Sequence, residues 1–353
     1  MPTTTNGLVC AHHHLYSALA RGMPSPPAVP TTFIGILENV WWRLDAALDL
    51  DIIYWSAALG AAEALLNGTT AIIDHHESPS AIEGSLDAVK EACDMVGVRT
   101  NLCYGVTDRW NDGAMSPRVD PSATMTDGAR RGLRENERFI RAGGRGMVGG
   151  HAAFTCGDET LEAAAGLAGD LGVGVHIHVA EGPDDAGAGE RLENLARDNW
   201  LLVHCVNLDR HLPGTVAHNP RSNMNNAVGY ARPAALPNDV VLGTDGIGAD
   251  MLEEARLAHA RLRESDVTAT PEAAWSWLAN GERFFPEVVN DEVTWSYDHA
   301  ESPWHVAFTP GVRAVHVTVE GRQVVRDGSP VHFDLQEIRS KAAEAGRRLH
   351  SRL

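Results

Sequence analysis

Gly7-Leu8-Val9-Cys10-Ala11-His12-His13-His14 is an apolar run of strand length that starts at a glycine and ends in histidines. Seven further stretches repeat the plan at 71–76, 99–104, 147–151, 172–178, 201–204, 215–218 and 240–245, and all but the 99–104 stretch end in a histidine or an aspartate. Short apolar runs bounded by glycine and separated by helical patterns are what buried parallel strands look like in sequence. Eight of them in alternation with helices predict an α/β fold of the (β/α)8 TIM-barrel type. In such a barrel the carboxyl ends of the strands converge on one mouth, which here would gather the histidines and Asp245.

Length and composition agree with one large core. The chain has 353 residues, 44% of them hydrophobic, enough for a barrel plus a small appendage. With 29 Lys+Arg against 47 Asp+Glu the formal charge is −18, which disfavours nucleic acid and anionic membrane surfaces as partners. The five cysteines are scattered, with no C-x-x-C pair, so they read as thiols in a reducing compartment rather than a disulfide framework. No leader pattern and no span-length apolar run is present, and the expectation is a soluble cytoplasmic protein.

Between the proposed strands, helical patterns occupy 80–96, 127–142, 158–171 and 186–198, and a longer one runs from 33 to 67, stopping at Asn67-Gly68. Trp41 and Trp42 fall at helical spacing within it and read as core. Only ten residues separate His204 from Thr215, short for a parallel crossover, so the sixth helix should shrink to a turn and the barrel be locally trimmed or open. Patterns at 251–263 and 271–278 can close the barrel. Beyond them, 312–326 alternates around Glu320-Gly321 as a β-hairpin, and 336–353 is a final helix. The expected organisation is a catalytic barrel at 7–290, a residual β segment at 291–335 and a C-terminal helix at 336–353.

Side chains alternate along a strand, so His12 and His14 project to one side and His13 to the other. Two imidazoles at one strand end are a candidate ligand pair, with packing as the alternative. His178 and Asp245, at two other strand ends, complete three imidazoles and one carboxylate, a set suited to one divalent cation, zinc or ferrous iron, with a position left for water. Such an ion makes hydroxide available near neutral pH, and hydrolysis is its natural use. Glu181, three residues after His178, can carry a proton between water and leaving group, or be a solvated loop acid. His204 can donate to a developing oxyanion, or be a core histidine. His176 sits one layer below His178 and reads as structural. The only lysines, Lys90 and Lys341, lie away from strand ends, which disfavours a lysine-bridged pair of metals.

Taken in order, Ala11-His-His-His-Leu15, His178-Val-Ala-Glu181, His204, His218-Asn-Pro-Arg-Ser-Asn223 and Gly243-Thr-Asp-Gly246 resemble the amidohydrolase superfamily, in its branch of mononuclear deaminases and chlorohydrolases. Val40-Trp-Trp-Arg-Leu-Asp45, Asp74-His-His-Glu-Ser-Pro79, Arg221-Ser-Asn-Met-Asn-Asn226 and the 242–251 stretch are similar to the SsnA-type aminohydrolases within it. The resemblance implies hydrolytic deamination, or amide opening, on a small nitrogen heterocycle. It implies His12, His14, His178 and Asp245 as metal ligands, Asp245 also as part of the catalytic group, Glu181 as proton shuttle and His204 as activating histidine. His151, Arg21 and Asn223 are the substrate-pocket candidates it suggests, and His75, His76 and His218 fall at strand ends with pocket or supporting roles open.

The resemblance also implies an N-terminal half of a β-sandwich, which the chain lacks before its first strand. Its hairpin is then a remnant of a truncated sandwich with exposed edges, and a homodimer is the expected cover. Two other readings compete with the aminohydrolase. One is a hydrolase or cyclase recruited to a specialised metabolite, the other a non-catalytic ligand-binding barrel, against which Glu181 argues because binding alone needs no proton shuttle.

Overall fold

Eight parallel strands stand where the apolar runs mark them: β1 (Leu8–His14), β2 (Thr69–His76), β3 (Arg99–Val106), β4 (Val148–Ala152), β5 (Val175–Val179), β6 (Leu201–His204), β7 (Thr215–His218) and β8, which runs Val240–Leu242 and resumes at Asp245–Gly246. This computed structural model describes residues 3–111 and 114–353, so Met1 and Pro2 of the polar lead lie outside the described residues. The first half of β8 pairs with β7 and the second half with β1. The two ends of the sheet are thus two halves of one strand, bridged by Gly243 N donating to His218 O and Thr244 N to His12 O, and the sheet closes into a barrel.

Alternation along each strand separates two layers of core. Val9, Ala11, Ala71, Ile73, Cys103, Leu201, Val203, Ala217 and Val241 form one buried cluster inside the barrel, with Phe285 and Val288 joining it. Their neighbours Cys10, Ile72, Leu102 and Leu242 face the helices instead. The β5 strand starts three residues later than the 172–178 run, because Gly172 takes a left-handed conformation (φ 67°) that ends the helix Asp158–Leu171.

The 33–67 region is not one helix: it runs Phe33–Ile36, a wide π turn Leu37–Trp41 and Trp42–Ala46, and restarts at Leu50–Leu66. Asp49 caps that restart, accepting from Ile52 N at 2.9 Å. The barrel, moreover, is not open at the short sixth connection. Among the described residues no helix lies between β6 and β7, yet the strands pair in parallel from Thr215–Leu201 to Ala217–Val203.

The hairpin is not unpartnered either. Thr4–Thr5, within the polar lead, pairs with β9 (Glu292–Trp295), which pairs with β10 (Ala314–Val319), then β11 (Arg322–Arg326) and Ser329–Pro330, making a five-stranded antiparallel sheet. Val293, Trp295, Val317 and Val325 are buried in the same core as the helix Leu50–Leu66. The C-terminal helix Leu335–His350 packs along that helix, and His350 Nε2 lies 2.8 Å from Leu19 O. The apolar face is covered within the chain, which removes the argument from exposed edges to a homodimer. Among the described residues no helix is long and apolar enough to cross a membrane.

Candidate metal centre and active-site cavity

Strand parity alone would turn His12 and His14 outward with Cys10. A register shift between Cys10 and His13 resets it, as a β-bulge does when it re-aims side chains. His12 and His14 then face the mouth, and His13 turns back to Thr244, with Nδ1 2.7 Å from its Oγ1. His204 and Asp245 reach the mouth by another device: both adopt left-handed backbone, φ 69° and 57°, as does Ala180 beside Glu181 at 48°. Non-glycine residues rarely hold that conformation, and its cost concentrates at functional sites. His178, like His176, needs no such device, since Val175, Ile177 and Val179 pack outward.

These turns bring four donor atoms together. His12 Nε2 and His14 Nε2 lie 3.1 and 3.0 Å from Asp245 Oδ1, and His178 Nε2 is 3.3 Å from His14 Nε2. The opposite nitrogens set the tautomers. His14 Nδ1 faces His75 O at 2.6 Å and His178 Nδ1 faces His151 O at 2.8 Å, so each Nδ1–H donates and each Nε2 carries a lone pair. His12 Nδ1 donates to His176 Nε2 at 2.8 Å, whose Nδ1 in turn faces Cys103 Sγ at 3.4 Å. His176 therefore orients a donor histidine from below, as outer partners of metal ligands do. Ser222 Oγ donates to Asp245 Oδ2, which leaves Oδ1 to the centre.

Converging lone pairs and a carboxylate oxygen repel one another unless a cation lies between them, and the donor set fits one. Burial holds His12 neutral, its pKa well below the usual value, and with the charge of His14 pushes His178 down to about 3. His14 goes the other way. Burial disfavours its charged form, but the hydrogen bond and charge of Asp245 outweigh it and raise the pKa to about 9, so the spot attracts positive charge. His12, His178, His204 and Asp245 each bring a donor within 4.8 Å of the others, and so do His14, His75 and His178. His204 stands farther off than His14: its Nε2 is 4.0 Å from Asp245 Oδ2 and 3.4 Å from Glu181 Oε2.

Glu181 lies over this centre. Burial pushes its carboxyl up, the charge of His204 pulls it down and that of Asp245 pushes it up. His204 is held from behind, with Nδ1 2.7 Å from Asn223 Oδ1. A cavity of about 180 Å³ opens above, reached by His14, His151, His178, Glu181 and Asp245 and walled by aromatic rings.

Not every residue expected at the pocket is there. Arg21 turns to Glu63, with Nη2 2.8 Å from Oε2 and its side chain nearly half exposed, and does not line the cavity. Asn223 is spent on His204 and also lies outside the lining. His76 bonds Ser78 Oγ at 2.9 Å on the outer face of β2, and His218 faces Trp277 and Tyr230 outside the barrel. His75 points inward below the centre, with Nε2 3.0 Å from Gly150 O.

Other residues escaped notice. Trp42 is core as expected, buried with Phe33, Leu37 and Val228 and with Trp41 packed against them, but both tryptophans also line the cavity, as do Tyr16, Asp45, Glu77 and Ser222. Arg109 lies behind them, fully buried, its Nη2 3.0 Å from Asp45 Oδ2 and bonded to Glu77 Oε1. Asp45 and Glu77 stand in two of the phrases that carry the family resemblance, a signal that attached no role to them. Arg109 carried no sequence signal.

A (β/α)8 barrel with three histidines and an aspartate converging at its mouth defines the class of metal-site barrel hydrolases. The model of the Amidohydrolase family matches residues 3–278, and the chain belongs to that family. It is 30% identical over 396 aligned positions to a 5′-deoxyadenosine deaminase of Methanopyrus kandleri, covering 98% of this chain and 86% of that protein. It is 28% identical to a 5-methylthioadenosine/S-adenosylhomocysteine deaminase of Syntrophomonas wolfei, covering 97% and 86%. Solved structures share the fold. An adenosine deaminase from Xanthomonas campestris with bound zinc superposes with TM-score 0.81 at 21% identity, over 99% of this chain and 86% of that one. An atrazine chlorohydrolase from Arthrobacter aurescens complexed with zinc gives 0.71 at 22%, over 97% and 88%.

Proposed function

We propose that this chain is a metal-dependent aminohydrolase that removes an amino group, by hydrolysis, from a small adenine-type nitrogen heterocycle. The observation that carries the reading is the convergence of His12 and His14 Nε2 on Asp245 Oδ1, with His178 Nε2 against that of His14 and the partly buried Glu181 beside them, in an aromatic-walled cavity. His12, His14, His178 and Asp245 hold the ion. Zinc is the metal we assign, because the donor set is borderline in softness and two structural neighbours contain it; ferrous iron is the alternative that metal analysis separates. When bound, the ion supplies Lewis acidity that makes water nucleophilic near neutral pH.

The protein groups do the remaining work. Glu181, its carboxyl raised by burial, takes a proton from the attacking water and passes it to the leaving nitrogen. His204, its Nδ1–H donated to Asn223 Oδ1, acts as the imidazolium, with Nε2–H donating to the oxygen that gains charge at the attacked carbon. His151 fixes the ring, its own orientation set by Nδ1 contacting Thr155 Oγ1 at 2.7 Å. Five buried free cysteines support a reducing, cytoplasmic setting for the reaction.

Ammonia release from adenine, 5′-deoxyadenosine and an aminotriazine, with zinc-loaded and chelated protein, tests the reading. Turnover that depends on zinc is the expected result. Tight zinc binding with no ammonia from any amino-heterocycle would overturn it.

A further inference from the structure

We infer that Asp45 and Glu77, clamped by the single buried Arg109, form the specificity wall of this cavity and select a compact free heterocycle with an N–H donor on its edge, in preference to a nucleoside. The inference rests on the deaminase reading above and names the substrate class of the same site.

The first argument is charge. Arg109 is completely buried, and its Nη2 reaches both Asp45 Oδ2 at 3.0 Å and Glu77 Oε1. One guanidinium faces two carboxylates, and burial, joined for Asp45 by the charge of Glu77, raises the pKa of both acids, so the pair favours a proton or a donor brought in from the cavity. Arg109 lies behind the wall, whereas both acids line the cavity. The Arg109 guanidinium also stacks over the Trp42 ring, 4.7 Å from its centroid, which fixes acid pair and indole as one unit.

The second argument is unmet hydrogen bonding. Asp45 Oδ1 is buried without a partner, as are the indole N–H of Trp42, which lines the same cavity, and Nε and Nη1 of Arg109 behind the wall. A buried polar group left unsatisfied is costly, and native proteins pair nearly all of them. Asp45 and Trp42 stand three positions apart on the helix Trp42–Ala46, and an acceptor and a donor on that one wall match a ring edge that carries N–H next to a bare ring nitrogen. Free purines, pterins and aminotriazine-like rings present such an edge. In a purine nucleoside the corresponding nitrogen bears the sugar and has no hydrogen.

The third argument is room and position. The cavity of 180 Å³ falls below the roughly 300 Å³ at which pockets begin to enclose drug-sized ligands. His151 links wall and metal centre: its ring lies 5.5 Å from that of His178, and its Nε2 is 3.7 Å from Glu77 Oε2. The acids therefore stand about one imidazole beyond the ligand set, within reach of the far edge of a ring whose amino-bearing carbon sits at the metal.

The test uses the full chain loaded with zinc and carrying Glu181→Gln to block turnover, with Trp fluorescence as the binding signal. Adenine and 2,6-diaminopurine should bind about 10- to 100-fold more tightly than 5′-deoxyadenosine, the range expected when a charged acceptor loses its donor. Adding Asp45→Asn, which keeps a contact to Arg109, should weaken base binding by a similar factor. If that variant does not fold, Glu77→Gln is read in the same way. Nucleoside binding as tight as base binding overturns the inference, as does undiminished base affinity in a folded wall variant. Ammonia release by the unmutated enzyme tests the reaction separately, so the binding preference is read whether or not turnover is found.

Discussion

His14 and His178 face each other with their Nε2 atoms 3.3 Å apart, although backbone carbonyls at Nδ1 make both of those atoms lone-pair acceptors. Two like dipoles at that distance, with the Asp245 carboxylate beside them, are stable only around a positive charge. A proton on His14 meets the need without a metal, and a divalent cation meets it better.

That competition gives metal binding a pH dependence. The His14 pKa is raised to about 9 in the metal-free site. Below that value the site holds a proton that the ion must displace, so acid opposes binding. Apparent zinc affinity should fall about tenfold per pH unit between roughly pH 8 and 6. Competition titrations against a chelator, corrected for its own protonation, measure it, and a flat profile would show that His14 is not a ligand.

Replacing Glu181 with Gln should lower turnover by about 10²-fold or more while zinc content stays near one ion per chain. Asp245→Ala should lose metal and activity together, because Asp245 Oδ1 is the oxygen on which His12 and His14 converge. Retained activity in Glu181→Gln would transfer the proton to another group, with His204 first in line.

Asn223 offers a separation of positioning from binding. Its Oδ1 is engaged with His204 Nδ1 at 2.7 Å. Asn223→Ala should therefore reduce kcat by about tenfold, the scale of losing an orienting partner, with KM nearly unchanged. A rise in KM at constant kcat would instead return Asn223 to the substrate pocket.

Gly149 lies on β4 where a Cβ would sit 2.2 Å from the Tyr104 carbonyl oxygen. Backbone cannot swing aside as a side chain can, so Gly149→Ala should destabilise the barrel by about 1–3 kcal/mol or more. Urea denaturation checks it; a wild-type midpoint would mean that β3 and β4 separate easily.

Trp295 ties the small sheet to the barrel. It is 1% exposed, packs against Gly68 and donates from Nε1 to Thr5 Oγ1 at 2.8 Å. Trp295→Ala should cost about 3–5 kcal/mol, as large-to-small changes in a core do. A loss below about 1 kcal/mol would show the sheet to be dispensable for stability.

Strand positions, barrel class and the inward aim of His151, His176 and His178 follow from sequence, because a two-residue period and a run of apolar residues are local properties. Taken alone, however, parity would send His12, His14 and His204 outward with Cys10 and Leu202. The bulge at Cys10–His13 and the left-handed backbone at His204 and Asp245 reverse that, and both depend on pairing with other strands. The π turn at Leu37–Trp41 likewise breaks a helix that periodicity makes continuous and puts two tryptophans and Asp45 on the cavity. The C-terminal hairpin pairs with β9, and the strand beyond β9, Thr4–Thr5, is only two residues long, too short to announce itself and visible only once β9 lies beside it. Arg109 became functional in the same way, since a buried arginine takes its meaning from two acids far from it in sequence. Local pattern thus determined which residues could do chemistry, while long-range pairing decided which of them meet.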